Sequence, residues 1–360
     1  MVDVQKLLRY IVDVGASDLH LRAGARPVVR IDGRLKQTQF DRLTPEDTAK
    51  IGLSFLNERQ RRTFETRHEG DFSYSARGLA RFRGNIFLQR GSVHIALRLV
   101  PAGTKTFEGL NLPPILKKLA ENVRGLILVT GTTGSGKSTT LAAFINYINS
   151  TREAHIITIE DPIEYLHVDN KSMISQRELE IDTLDYSAAL RHVVRQDPDV
   201  LFIGEMRDLE TMRAALTAAQ MGTLVLSTIH TIDAVQTATR VVDMFPPYQQ
   251  NQIRLQFADT LKGIVSQRLL PLASGKGRIP ACEVLSATGL VKKLIEENKL
   301  NEIINVMEQG EYYGMQTFNQ SLLQLYNQGL IKLEEAIAAA NKPEELMLRI
   351  RGIAQGGTDK

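Results

Sequence analysis

Eight residues constrain this chain more than any others. Gly131, four further residues and then Gly136-Lys137-Ser138 spell G-x-x-x-x-G-K-S, directly after GLILVT (125–130) and directly before the helical pattern STTLAAFINYI. A strand, a glycine-rich turn and a helix in that order can wrap backbone N–H groups around phosphate oxygens. Glycine lets those groups turn inward, and the helix N-terminus adds its positive dipole end. Lys137 brings a charge to the β and γ phosphates, and the Ser138 hydroxyl can ligate Mg²⁺. Gly131, Thr132, Thr133, Gly134, Ser135, Gly136, Lys137, Ser138 and Thr139 are therefore the expected phosphate-binding residues.

The surrounding pattern predicts an α/β chain in two parts. Short apolar runs at 125–130, HIITI (155–159), DVLFIG (199–204) and TLVLST (223–228) alternate with helical segments. Runs that are apolar on both faces belong to a parallel sheet covered by helices, hence a doubly wound domain. The first hundred residues read differently. A helix over VQKLLRYIVDV and another over TPEDTAKIGLSFL accompany strands at SDLHL, at PVVRIDGRL with an Asp32-Gly33 turn, and through DFSYSARGLARFRGNIFLQRGSVHIALRLV. That is an antiparallel sheet with helices on one face. The expected boundaries are an N-terminal domain at 1–100, a Gly/Pro-marked linker at 101–114 and a nucleotide domain at 115–360. From about Pro247 the chain reads as mostly helical, and AQGGTDK (354–360) as a loose tail.

Ligands in open parallel sheets sit beyond the carboxyl ends of the strands. Glu205 follows VLFIG, and Glu160 and Glu164 belong to the EDPIE stretch after IITI. Glu205 can activate a water molecule, and the others can hold Mg²⁺ through its water shell. The bland alternatives are a solvated acid for Glu205 and simple Asp-Pro turn chemistry for 160–164. His230 also ends a strand. It reads as a γ-phosphate sensor or as a structural histidine. Arg81 and Arg83, two apart in a strand, share a face. They read as paired phosphate ligands or as a solvated sheet face.

Composition removes several classes. Lys and Arg number 44 against 41 Asp and Glu, a net charge of +3. That is too balanced for a large nucleic-acid surface. A single cysteine, Cys282, excludes an intramolecular disulfide or a multi-cysteine zinc site. No apolar run is long enough to span a bilayer, and the N-terminus lacks a signal-peptide core, so direct membrane insertion is not expected.

GTTGSGKSTT, ITIEDPIEY, DVLFIGEMRDLET and LSTIHT occur in that order. Together they resemble the secretion ATPases of the type II/type IV pilus group, in particular its retraction branch. Their Walker A, Asp box, atypical Walker B and His box match at Gly131–Ser138, Ile157–Glu164, Asp199–Asp208 and around His230. The resemblance extends over most of the chain. It implies a PAS-like N-terminal α+β domain and a RecA-like P-loop domain. It also implies ATP with Mg²⁺, and a cytoplasmic homohexamer working peripherally beneath an inner-membrane pilus platform protein, beside a sister retraction ATPase in some systems. By the same resemblance Glu205 is the catalytic base, Glu164 is an acid of the magnesium–water network, and Arg81 and Arg83 contribute to a composite nucleotide site. Two stretches depart from the family pattern. Thr223 stands where a His-box histidine usually follows Gly222, and LVKKLIEE (290–297) replaces the usual retraction motif. They keep open a second reading, an accessory nucleotide-gated subunit with weak turnover. A nucleic-acid translocase is a third.

Overall fold

Capping signals set the first elements of the protein, for which the computed structural model describes residues 3–101, 103 and 105–352. The expected tail at 354–360 lies outside the described residues. The chain divides into two compact units: Met1–Gly103 with Glu164–Leu166, and Thr104–Ile163 with His167–Lys360.

In the first unit Asp3 caps α1 (Val4–Asp13), accepting hydrogen bonds from the Gln5 and Lys6 N–H groups. β1 (Asp18–Arg22), β2 (Val28–Ile31) and β3 (Arg34–Gln37) follow. Asp32 and Gly33 turn the chain between β2 and β3 at φ 49° and 77°. A Thr44/Asp47 capping box opens α2 (Pro45–Phe55). An Asn57/Gln60 box opens α3 (Glu58–Arg67), whose sequence, ERQRRTFETR, buries only Phe64. With one apolar contact it has no helical period to read, and its capping box is the only sequence signal for it. β4 (Glu69–Ala76), β5 (Ala80–Gln89) and β6 (Ser92–Val100) complete a six-stranded antiparallel sheet of order β3-β2-β1-β6-β5-β4 among the described residues. Leu7, Leu8 and Ile11 of α1, Ile51 and Phe55 of α2 and Phe64 of α3 pack with Phe82, Ile86, Ile95 and Leu97 of the sheet.

The second unit contains α4 (Ile115–Ala120), β7 (Gly125–Thr130), α5 (Lys137–Thr151), β8 (His155–Glu160), β9 (Met173–Glu178), α6 (Tyr186–Val193), β10 (Val200–Ile203), α7 (Leu209–Gln220), β11 (Leu224–Ile229), α8 (Ala234–Asp243) and α9 (Pro247–Thr260). Next come β12 (Leu261–Pro271), β13 (Arg278–Ser286), α10 (Gly289–Glu296), α11 (Ile303–Glu308), α12 (Phe318–Asn327), α13 (Leu333–Ala338) and α14 (Pro343–Ile350). The sheet order is β13-β12-β7-β11-β10-β8-β9, parallel except for the β12–β13 pair.

Alternate residues of β7 feed two separate cores. Leu126 and Leu128 pack on one face, and Ile127 and Val129 on the other. Each such side chain, fully buried, stabilises the fold by about 1.5–3 kcal/mol. Phe107 and Leu112, within the expected linker, belong to the second of these cores. The stretch after Pro247 is helical except for β12 and β13, which the sequence reading does not single out. Both strands are buried nearly throughout, so neither shows the alternation that marks a half-exposed strand.

Candidate nucleotide site

β7 ends at Thr130 and the chain turns sharply through Gly131 at φ 142°. A side chain there would force the loop or β12 to shift. A Cβ on Gly131 would lie 2.5 Å from both the Gln267 carbonyl oxygen and Ser135 Oγ. β12 braces the turn from behind. The Thr130 hydroxyl donates to Ser266 Oγ at 2.9 Å, and Gln267 Nε2 donates to Thr140 Oγ1 at 2.9 Å. Gly136, at φ 94°, then leads into α5. Lys137, 8% exposed, donates from Nζ to the Gly131 and Thr132 carbonyls at 2.9 and 3.0 Å. Its charge is thereby fixed against the loop. Ser135 Oγ is buried and has no hydrogen-bond partner among the described residues. A buried hydroxyl in that state fits a loop built to meet an anion's oxygens. Thr132, Thr133 and Gly134 are exposed along the rim, while Ser138 and Thr139 are half-buried in the first turn of α5.

Register places the other candidates. Ile229 pairs with Thr130, so His230 emerges level with Gly131 on the adjacent strand. Ile203 pairs with Ser227 on one side and Ile159 on the other. Gly204-Glu205 and Glu160 therefore leave the same edge of the sheet. At about 4.8 Å per strand, Glu205 begins about 10 Å from the phosphate-loop strand and Glu160 about 14 Å.

The sheet brings Glu205 and His230 together: His230 Nε2 lies 3.1 Å from Glu205 Oε1. Arg207 completes the group, with Nη2 2.7 Å from Glu205 Oε2. Burial alone would raise the Glu205 carboxyl. The Arg207 hydrogen bond and the charges of His230 and Arg207 outweigh it and hold the group below its ordinary value. The result is an ionised carboxylate, oriented at both oxygens and 18% exposed.

Glu160 is placed differently. It is 6% exposed, and its Oε1 accepts hydrogen bonds from Thr158 Oγ1 at 2.7 Å and Gln176 Nε2 at 3.1 Å. Glu164 lies in the Glu164–Leu166 segment that groups with the first unit. There Leu166 exchanges backbone hydrogen bonds with Pro101 and Gly103. Arg81 and Arg83 are also in the first unit. They share one face of β5, opposite the buried Phe82, Gly84 and Ile86, and Arg81 Nη1 donates to Ser75 Oγ at 2.9 Å.

Two residues near Glu205 received no role from the sequence. Arg207 stands in the quoted GEMRD stretch, and an arginine two residues beyond a catalytic-type acid was its only signal. Tyr186, first residue of α6, is set by its neighbour Asp185, whose Oδ1 accepts the Ala188 N–H at 2.6 Å. A Cβ on Gly204 would lie 3.0 Å from the Tyr186 hydroxyl and 3.4 Å from Glu160 Cα. That crowding favours glycine at this strand end. Burial, then the charges of Asp161 and Glu205, push the Tyr186 phenol well up, so it stays protonated.

Thr223 lies before β11 at the opposite edge, donating to the Pro198 carbonyl at 3.3 Å. It is about 23 Å of strand away from His230. It therefore takes no part in the Glu205 cluster of its own unit. In LVKKLIEE, Val291, Leu294 and Ile295 are buried and Lys292 Nζ donates to the Asp259 carbonyl at 2.9 Å.

The chain matches the family model described as type II/IV secretion system protein over residues 94–312. It is 42% identical over 343 residues to the type IV pilus retractation ATPase PilT of Pseudomonas aeruginosa, covering 95% of this chain and 99% of that protein. It is 43% identical over 350 residues to the type IV pilus ATPase PilU of the same organism, covering 97% and 92%. A crystal structure of the pilus retraction motor PilT with bound ADP superposes with a TM-score of 0.88 at 49% identity, covering 96% of this chain and 99% of the other.

Proposed function

The chain belongs to the type II/IV secretion system protein family, and from that membership we propose that it is an ATP-hydrolysing motor for type IV pilus retraction, the movement behind twitching motility. The observation that carries this reading is the Glu205 cluster at the sheet edge that also bears the phosphate loop. Similarity to PilT over nearly the whole length supports the retraction role. In this reading the PAS-like domain, residues 1–100, makes up most of the first unit. The RecA-like P-loop domain, from 115 onward after the linker at 101–114, makes up most of the second.

Loop N–H groups, Ser135 Oγ and Lys137 bind and orient the β and γ phosphates. Glu205 accepts a proton from the attacking water, and Arg207 and His230 aim its two oxygens. The Ser138 hydroxyl is the hard oxygen donor that fits Mg²⁺, an ion otherwise held by phosphate oxygens and water. When bound, Mg²⁺ neutralises charge developing on the phosphates. Glu160 and Glu164 are proposed to order the water around it, and Arg81 and Arg83 to contact phosphate in the assembled homohexamer.

The proposed setting is the cytoplasmic face of the inner membrane, against a platform protein. Among the described residues no helix is long and apolar enough to cross a membrane. The net charge of +3 supports a motor that does not act on nucleic acid. The comparable 43% identity to PilU favours a second reading, a weakly hydrolysing accessory subunit beside a sister ATPase.

A clean deletion scored for surface pili and for surface motility tests the role. Retained pili with lost motility is the expected result. Lost pili would place the protein in assembly instead.

A further inference from the structure

Tyr186 stands beside the Glu205 cluster with a hydroxyl that none of the contacts above uses. The Asp185 cap and the buried Ala189, Leu190 and Val193 hold α6, so its first residue is fixed. The Tyr186 oxygen lies over Gly204, 3.0 Å from where a Cβ would be. Gly204 is itself pinned. Its N–H donates to the Ile159 carbonyl at 2.8 Å, and its carbonyl accepts from Thr228 Oγ1 at 2.8 Å. The Met206 N–H donates to the Thr228 carbonyl at 3.1 Å. The phenol oxygen therefore meets the backbone one residue before Glu205, at a place where that backbone is held on both sides. The ring is half-buried, but the oxygen is not enclosed, and it makes no hydrogen bond among the described residues.

The surroundings are acidic. Burial first, and then the charges of Asp161, Glu205 and Glu160, keep the phenol protonated against the opposing charge of Arg207. Asp161 is exposed at the same strand end. A phenol in this state has one proton to give and lone pairs with which to receive. Glu205 can take one proton of an attacking water, but a water held at one proton still swivels. A second acceptor fixes its direction of attack. Glu160 Oε1 already accepts from Thr158 and Gln176, whereas the Tyr186 oxygen is open.

We propose that Tyr186 is a further catalytic residue for hydrolysis: its O–H donates toward Asp161, and its oxygen accepts the second proton of the attacking water. This rests on the ATP-hydrolysing reading above. One water proton passes to Glu205. The water oxygen bonds to the γ-phosphorus, and the bond from that phosphorus to the β–γ bridging oxygen breaks, giving ADP and phosphate. The second proton stays on the transferred oxygen, and Tyr186 keeps its own throughout.

Steady-state phosphate release from ATP and Mg²⁺ tests this in the full chain, Tyr186→Phe, Glu205→Gln and the double variant. Phenylalanine keeps the ring and removes only the hydroxyl. Tyr186→Phe should lower kcat about three- to tenfold, the scale of one hydrogen bond. KM for ATP should stay within about twofold, because ground-state binding is untouched. The urea midpoint should not move. In the Glu205→Gln background the same change should cost less than about twofold, since both groups act on one water. An unchanged kcat in Tyr186→Phe, with Glu205→Gln impaired, overturns this proposal and leaves the ATPase reading standing. So does a full, independent loss in the double variant, or a kcat loss that comes with a lower urea midpoint. Equal release from Glu205→Gln and the unaltered chain overturns the ATPase reading and this proposal with it.

Discussion

At Glu205 a partly buried carboxylate is kept ionised by the two side chains it touches, Arg207 at 2.7 Å and His230 at 3.1 Å. The direction of its shift fixes a pH dependence. A lowered pKa keeps the proposed base ionised, and so able to accept a proton, to lower pH. Arg207→Ala removes the largest lowering contribution, so the acid limb of the pH–rate profile should move to higher pH. Measuring kcat/KM from about pH 4 to 8 in both proteins checks this. An acid limb that stays in place would remove Arg207 from the account. The same residue scale explains Gly204, where the Tyr186 hydroxyl and Glu160 Cα leave little room for a side chain.

Among the elements, β5 carries a comparable constraint. A Cβ on Gly84 would fall 2.1 Å from Phe72 Cζ. The Phe72 ring cannot step aside, because it is 5% exposed and stacked on Phe55 at 5.5 Å between centroids. Gly84→Ala should therefore destabilise the protein by about 1–3 kcal/mol, read from urea unfolding. Unchanged stability would mean that β4 and β5 can part. Elements with one clear signal were legible in the sequence. The loop at Gly131, the runs that became β7, β8, β10 and β11, and the Thr44 cap all stand where their local chemistry put them. What escaped was set by tertiary contacts. α3 offers one buried apolar residue, β12 and β13 are buried on both faces, and β9 pairs along β8 with no alternation of its own. The site followed the same rule. Glu205 and His230 were readable as strand ends, whereas Arg207 and Tyr186 acquire meaning only once register and helix capping bring them to Glu205.

For the whole molecule, six copies in a ring is the arrangement proposed. Sedimentation of the purified chain with nucleotide should give a mass near six copies, and a stable monomer under those conditions would contradict it. The most direct test of the central claim is steady-state phosphate release from ATP and Mg²⁺ by the full chain and its Glu205→Gln variant. Removing a positioned base typically costs a factor of about 10²–10⁴. The account predicts a loss of that size with nucleotide binding retained. Equal phosphate release from the two proteins would contradict it.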